Sequence, residues 1–116
     1  MKPLSQWHVL KATQYSFDGI KYAICEIAVK QLIALHTILI VLSFVLSLET
    51  STRMVLILAS FLSLIVEFFN TAIEAAVDHT STEKHPLAKQ AKDIASAAQM
   101  LTLTMIAILW GIALFS

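Results

Sequence analysis

The chain has 116 residues, 58% of them hydrophobic and 14% charged, with eight basic and eight acidic side chains in balance. Its mean hydropathy of +0.78 is far above that of a water-soluble domain, in which about a quarter of the residues are charged. A single Cys excludes a disulfide framework or a cysteine-based zinc site, the balanced charge gives no basic field for nucleic acid, and two Gly with two Pro exclude a linker or proline-rich chain.

The length allows one domain, 1–116, and a spanning helix needs roughly 20 residues. The expectation is a small all-α integral membrane protein, with an N-terminal amphipathic surface helix followed by three transmembrane helices. A helical bundle buried in water is the alternative, and the shortage of polar surface disfavours it. In residues 1–29, Leu4, Trp7, Leu10, Phe17, Ile20, Ile24 and Ile27 recur at helical spacing, punctuated by Lys2, Lys11 and Lys21. That pattern fits a helix lying on a membrane surface with its lysines among the headgroups. It lacks the short apolar core and small-residue cleavage site of a signal peptide.

Three stretches nearly free of charge follow, and they predict spans at 31–48, 54–77 and 93–115. His36 stands alone in the first span and reads as a hydrogen-bonded core or interface residue. Trp110 and Phe115 read as anchors at the outer interface. Four Lys precede the first span, Lys84, Lys89 and Lys92 follow the second, and the 49–53 turn carries only Arg53. The positive-inside rule then puts the N-terminus and the 78–92 connection in the cytoplasm.

Glu67, Asn70, Glu74 and Asp78 are spaced three, four and four residues apart, so they share one helix face at the cytoplasmic end of the second span. Glu67 lies about 16 Å along the axis from Asp78, too deep to snorkel easily. Ionisable groups at such depth tend to mark function. Polar glue between helices, with Glu67 paired to Lys92, is the other reading. Lys89, Lys92, Asp93, Ser96 and Gln99 form a matching polar stripe at the start of the third span, where Ala95, Ala97 and Ala98 allow close helix approach. Glu26 ends the surface helix. Three helices can thus gather Glu26, Glu67, Asn70, Glu74, Lys92 and Asp93 at the cytoplasmic surface. More carboxylates meet there than one Lys can neutralise, and an all-oxygen donor set favours Mg²⁺ over Zn²⁺. Lys92 and Lys84 would take phosphate charge. There is no glycine-rich phosphate loop, no G-x-S-x-G elbow and no H-E-x-x-H pattern.

The stretch from Glu67 to Asp78, EFFNTAIEAAVD, resembles the signature E-x-x-N-[ST]-A-[IV]-E-x-x-V-D of the prokaryotic diacylglycerol kinases and their undecaprenol kinase relatives. The block from His85 to Asp93, HPLAKQAKD, followed by Ser96-Ala97-Ala98, matches that family's second block, and Tyr15, Ser16 and Gly19 resemble its Y-S-x-x-G. Phe69 replaces a usual aliphatic residue, His8 a frequent Arg, and the register near Glu26 needs a one-residue deletion.

The resemblance covers nearly the whole chain. It implies a homotrimer in the bacterial inner membrane, with active sites shared between subunits, that uses MgATP to phosphorylate a lipid hydroxyl. By position in the motifs, Glu67 resembles the catalytic base within a constellation that includes Asn70, and Glu26 and Glu74 resemble the metal ligands beside the nucleotide. Tyr15, Glu83, Lys84, His85, Lys92 and Asp93 match ATP-contacting positions, while Ser16, Glu67 and Ser96 match lipid-side positions. Diacylglycerol is the expected acceptor. Undecaprenol and a non-enzymatic membrane assembly subunit are the alternatives.

Overall fold

A computed structural model describes residues 6–80 and 85–116. They form four helices, α1 (Gln6–Ala23), α2 (Ile27–Val45), α3 (Thr50–Thr80) and α4 (Pro86–Phe115), and no strand occurs among the described residues. Helices α2, α3 and α4 are each long and apolar enough to cross a membrane. The protein is therefore an all-α membrane protein. The accessible surface is 8848 Å², against about 6,300 Å² for a compact soluble chain of this mass. Large apolar side chains such as Ile38, Phe44, Leu58, Phe61, Leu101 and Ile108 account for much of it, lying exposed on the outer faces of the three long helices. In a membrane those faces meet lipid or other copies of the chain.

Helix α3 is central, packed against α2 on one side and α4 on the other. The buried positions are narrow stripes. On α4 they are Ala95, Gln99, Thr102, Ile106 and Trp110, at spacings of three and four. On α3 they are Leu56, Ala59, Ser60, Ser63 and Glu67, and on α2 they are Val29, His36 and Ser43. Small side chains along these stripes let the backbones approach, as packing between helices in lipid requires. Ala97 and Ala98 lie off the α4 stripe and are exposed, so of the three alanines only Ala95 serves that purpose. Trp110 falls on the same stripe and packs against Leu56, Ala59 and Ile106, so it is an interior residue rather than an interface anchor. Phe115 is 90% exposed.

Several boundaries differ from the sequence expectation. Helix α1 stops at Ala23, and Glu26 is the extended N-cap residue of α2, which begins at Ile27. No Pro or Gly marks this corner. Ala23 and Val29 are buried on either side of it, so packing sets the bend. Helix α3 runs unbroken to Thr80, and at 31 residues its length of about 46 Å exceeds the roughly 30 Å hydrocarbon core. Helix α4 starts early because His85 caps it, its Nδ1 accepting from the Leu87 N–H at 3.1 Å, and Pro86 fits its first turn.

The α2–α3 turn is closed by Arg53. Its Nε donates to the Ser43 carbonyl at 2.8 Å, and its Nη2 donates to those of Leu46 and Leu48 at 3.4 and 3.2 Å. The guanidinium also lies 5.4 Å from the centre of the Phe44 ring. A cation there satisfies the Ser43 carbonyl in the last turn of α2, ties the turn residues Leu46 and Leu48 to the start of α3, and complements the negative end of the α2 dipole. Helix α1 forms no extended interface with the other helices. It leaves Val9, Leu10, Phe17 and Ile20 exposed, as a helix lying on a membrane surface would.

Candidate functional site

Glu67 is 5% exposed, in the middle of the α3–α4 interface. Its position follows from the three-and-four spacing that continues the buried α3 stripe from Ser60 and Ser63. Along α3 it lies about 21 Å from Arg53 and about 16 Å from Asp78. The carboxylate meets three donors. Gln99 Nε2 on α4 reaches Oε1 at 3.4 Å, while Asn70 Nδ2 and Thr71 Oγ1 reach Oε2 at 3.4 and 3.5 Å. An ionised carboxylate only accepts hydrogen bonds, so this set of neighbours suits it. All three distances are long for hydrogen bonds. Among the described residues, Asn70 Oδ1 and Gln99 Oε1 are buried with no hydrogen-bond partner.

Toward the end of α3 the same face becomes exposed. Glu74 and Asp78 are exposed there, and Lys92 Nζ of α4 donates to Asp78 Oδ1 at 2.8 Å. Lys92 therefore pairs with Asp78, not with Glu67, and the partners that hold Glu67 are neutral. Both members of the Lys92–Asp78 pair are substantially exposed, so the pair contributes at most about 1 kcal/mol. One bond also leaves Lys92 two further ammonium protons for other acceptors. Asp93 accepts from Lys89 at 2.5 Å one turn away, and Ser96 is exposed on α4 between Lys92 and Gln99.

The remaining candidates stand apart. Tyr15 and Ser16 are exposed on α1, and the Ser16 hydroxyl donates to the Ala12 carbonyl. Because α1 forms no extended interface with α3 or α4, one copy does not pack these two residues against Glu67. Glu26 is exposed at the head of α2, where its side chain makes no capping bond. His85 is committed to its cap, and Glu83 and Lys84 lie outside the described residues.

Among the described residues, no three His, Cys, Asp or Glu side chains converge tightly enough to hold a metal by themselves. Mg²⁺ asks for less. It is commonly bound through one or two carboxylates, with waters and substrate phosphates completing the shell. Glu74 and Glu26 each present an exposed carboxylate, the donor type that Mg²⁺ takes.

Ser60, Ser63 and Thr71 join the buried polar core without having been singled out in the sequence. Their signal was the same spacing that marks Glu67, continued one and two turns deeper along α3 for Ser63 and Ser60, and one turn the other way for the half-buried Thr71.

Comparison with known proteins agrees with the sequence motifs. The family described as prokaryotic diacylglycerol kinase matches residues 14–114. A diacylglycerol kinase of Pseudomonas aeruginosa is 45% identical over 104 residues, covering 89% of this chain and 85% of its own length. One from Helicobacter pylori strain 26695 is 48% identical over 104 residues, with 89% and 81% covered. One from Escherichia coli K12 is 38% identical over 109 residues, with 93% and 89% covered.

Proposed function

We propose, from the premise that this chain belongs to the prokaryotic diacylglycerol kinase family and is a membrane-embedded kinase, that it transfers the γ-phosphate of MgATP to the hydroxyl of diacylglycerol, giving phosphatidic acid. The observation that carries this reading is the placement of Glu67. It is a carboxylate buried between apolar helices, about 16 Å along one helix face from exposed charged groups able to meet a nucleotide. A lipid hydroxyl comes from the membrane and ATP from water, and this face of α3 spans the distance between them.

The reaction forms a bond between the lipid oxygen and the γ-phosphorus and breaks the bond from that phosphorus to the oxygen it shares with the β-phosphate. Catalysis of such a transfer is mostly positioning and charge stabilisation. Glu67 accepts the hydroxyl proton at a carboxylate oxygen. Asn70 holds Glu67 and presents a free buried carbonyl oxygen beside it. Lys92 supplies positive charge toward the phosphates, with Asp93 orienting that end of the site. Tyr15, Glu83, Lys84 and His85 complete the nucleotide contacts, and Ser16 and Ser96 face the lipid. Glu74 and Glu26 would hold Mg²⁺, which would supply neutralising charge for the phosphates.

A homotrimer in the bacterial inner membrane accounts for the separation of Tyr15 and Ser16 from Glu67 within one copy, because a neighbouring subunit's α1 can complete the site. The lysine distribution supports a cytoplasmic N-terminus. Single cysteines placed by Thr82→Cys and Ser51→Cys in a Cys25→Ser background test this. A membrane-impermeant thiol reagent added outside should label position 51 and spare position 82, and the reverse pattern overturns the orientation.

Function is tested by transfer of labelled γ-phosphate in mixed micelles, first to diacylglycerol and then to undecaprenol. Labelled phosphatidic acid is the expected product. Transfer to undecaprenol alone overturns the acceptor, and no transfer to either by a correctly assembled protein favours a non-enzymatic assembly subunit. The relatives above bear the name diacylglycerol kinase, which favours the first acceptor.

A further inference from the structure

His36, Ser63 and Gln99 have no role in the reaction as derived above, yet they form one buried chain of hydrogen bonds that ends on Glu67. His36 is 1% exposed, Ser63 0% and Gln99 7%. His36 of α2 meets Ser60 Oγ through Nδ1 at 3.2 Å and Ser63 Oγ through Nε2 at 2.8 Å. Gln99 Nε2 of α4 donates to the Ser63 carbonyl at 3.1 Å, to Ser63 Oγ at 3.3 Å and to Glu67 Oε1 at 3.4 Å.

The chemistry of the partners fixes which way the Gln99 amide faces. A main-chain carbonyl and a carboxylate only accept, so the nitrogen of the Gln99 amide must face them. The flipped amide would set its oxygen against both. Ser63 Oγ accepts from Gln99, which leaves the Ser63 proton for His36 Nε2. His36 then carries its own proton on Nδ1 and gives it to Ser60. In that arrangement His36 is neutral and both of its ring nitrogens are paired.

We propose that Gln99 is a positioning residue for Glu67, held in its orientation by Ser63 and, through Ser63, by His36. The proposal rests on the reading of Glu67 as the base. Asn70 and Thr71 belong to α3 and move with Glu67, so they cannot fix its carboxylate relative to α4. The Gln99 contact spans the two helices. It sets the rotation of the carboxylate against the helix that also carries Lys92, and so against the phosphate to be transferred. Ser63 keeps the amide from turning, and His36 keeps the Ser63 hydroxyl from competing for it. A group held out of its productive geometry by about 1 Å loses on the order of a hundredfold in rate.

The test compares Gln99→Leu and Ser63→Ala with the unaltered enzyme in micelles, measuring kcat, the KM for ATP, oligomer state and the infrared carboxylate stretch of Glu67. That band is isolated by subtracting the spectrum of Glu67→Gln. Gln99→Leu should lower kcat by about ten- to a hundredfold with KM for ATP within about twofold, and should shift the Glu67 band in an intact oligomer. Ser63→Ala should do the same to a smaller degree. A packing role alone would alter assembly or thermal stability and leave the band in place.

An assembled Gln99→Leu enzyme with normal kcat and an unshifted band overturns the proposal. Should Gln99→Leu fail to assemble, Ser63→Ala decides, and normal kcat with an unshifted band refutes it there. Near-normal turnover by Glu67→Gln refutes the base assignment itself, and this proposal with it. An inactive Glu67→Gln beside a fully active Gln99→Leu refutes the positioning role alone.

Discussion

Glu67→Gln is expected to lower turnover at least about a hundredfold, the low end of what loss of a general base costs, while nucleotide affinity stays nearly unchanged. The two side chains have the same shape, but the amide has no proton-accepting oxygen of comparable basicity. One of its two ends also becomes a donor. That end then faces either the Gln99 Nε2 donor or the Asn70 Nδ2 donor, and a donor cannot bind a donor, whereas the Thr71 hydroxyl can reverse and accept. Loss of an interaction made only in the transition state lowers kcat and kcat/KM together and spares the binding of ATP. The measurement is steady-state kinetics with oligomer state verified in the same detergent. An assembled variant turning over at a near-normal rate would mean that the proton leaves by another route.

Glu74→Gln should raise the Mg²⁺ concentration needed for half-maximal activity and lower the maximum. Glu74 is exposed two turns along α3 from Glu67, at the level where the chain leaves the apolar layer. Mg²⁺ is a hard cation that prefers carboxylate oxygen and keeps waters and phosphate oxygens as its remaining ligands. Removing one protein ligand weakens the metal without blocking the lipid. A glutamate that only joins helices behaves differently, because its loss loosens the oligomer and leaves the Mg²⁺ titration unmoved. Activity measured against Mg²⁺, beside oligomer state, separates the two, and an unchanged titration with a disrupted oligomer favours the joining role.

The absence of charge pointed to three long apolar helices, as the structure has them, because a charged residue in hydrocarbon is costly. It did not locate the helix ends. Helix α2 begins at Ile27, ahead of Lys30, since a lysine near a helix end reaches water through its own stem. Helix α3 carries Glu74 and Asp78 without interruption to Thr80, because hydrogen bonding within a helix does not depend on which solvent surrounds it.

The face bearing Glu67, Asn70 and Glu74 was legible because a spacing of three and four is a property of one helix. Which groups would oppose it was not, since that depends on the rotation of two helices about each other. Lys92 was a plausible partner for Glu67 by charge, and the structure pairs it with Asp78 instead. Likewise His36 could be read as a hydrogen-bonded interior residue, but that its partners are Ser60 and Ser63, 24 and 27 residues away, had no local signature.

The Arg53 clasp has a consequence for the order in which the chain completes itself. Its carbonyl partners lie five to ten residues upstream in sequence, so every group it needs already exists once Arg53 has been synthesised. The turn that leads from α2 into α3 can close while most of α3 is still unmade. Glu67, by contrast, waits for Gln99, 32 residues later. Its cross-helix bond can therefore form only after every group that closes that turn exists.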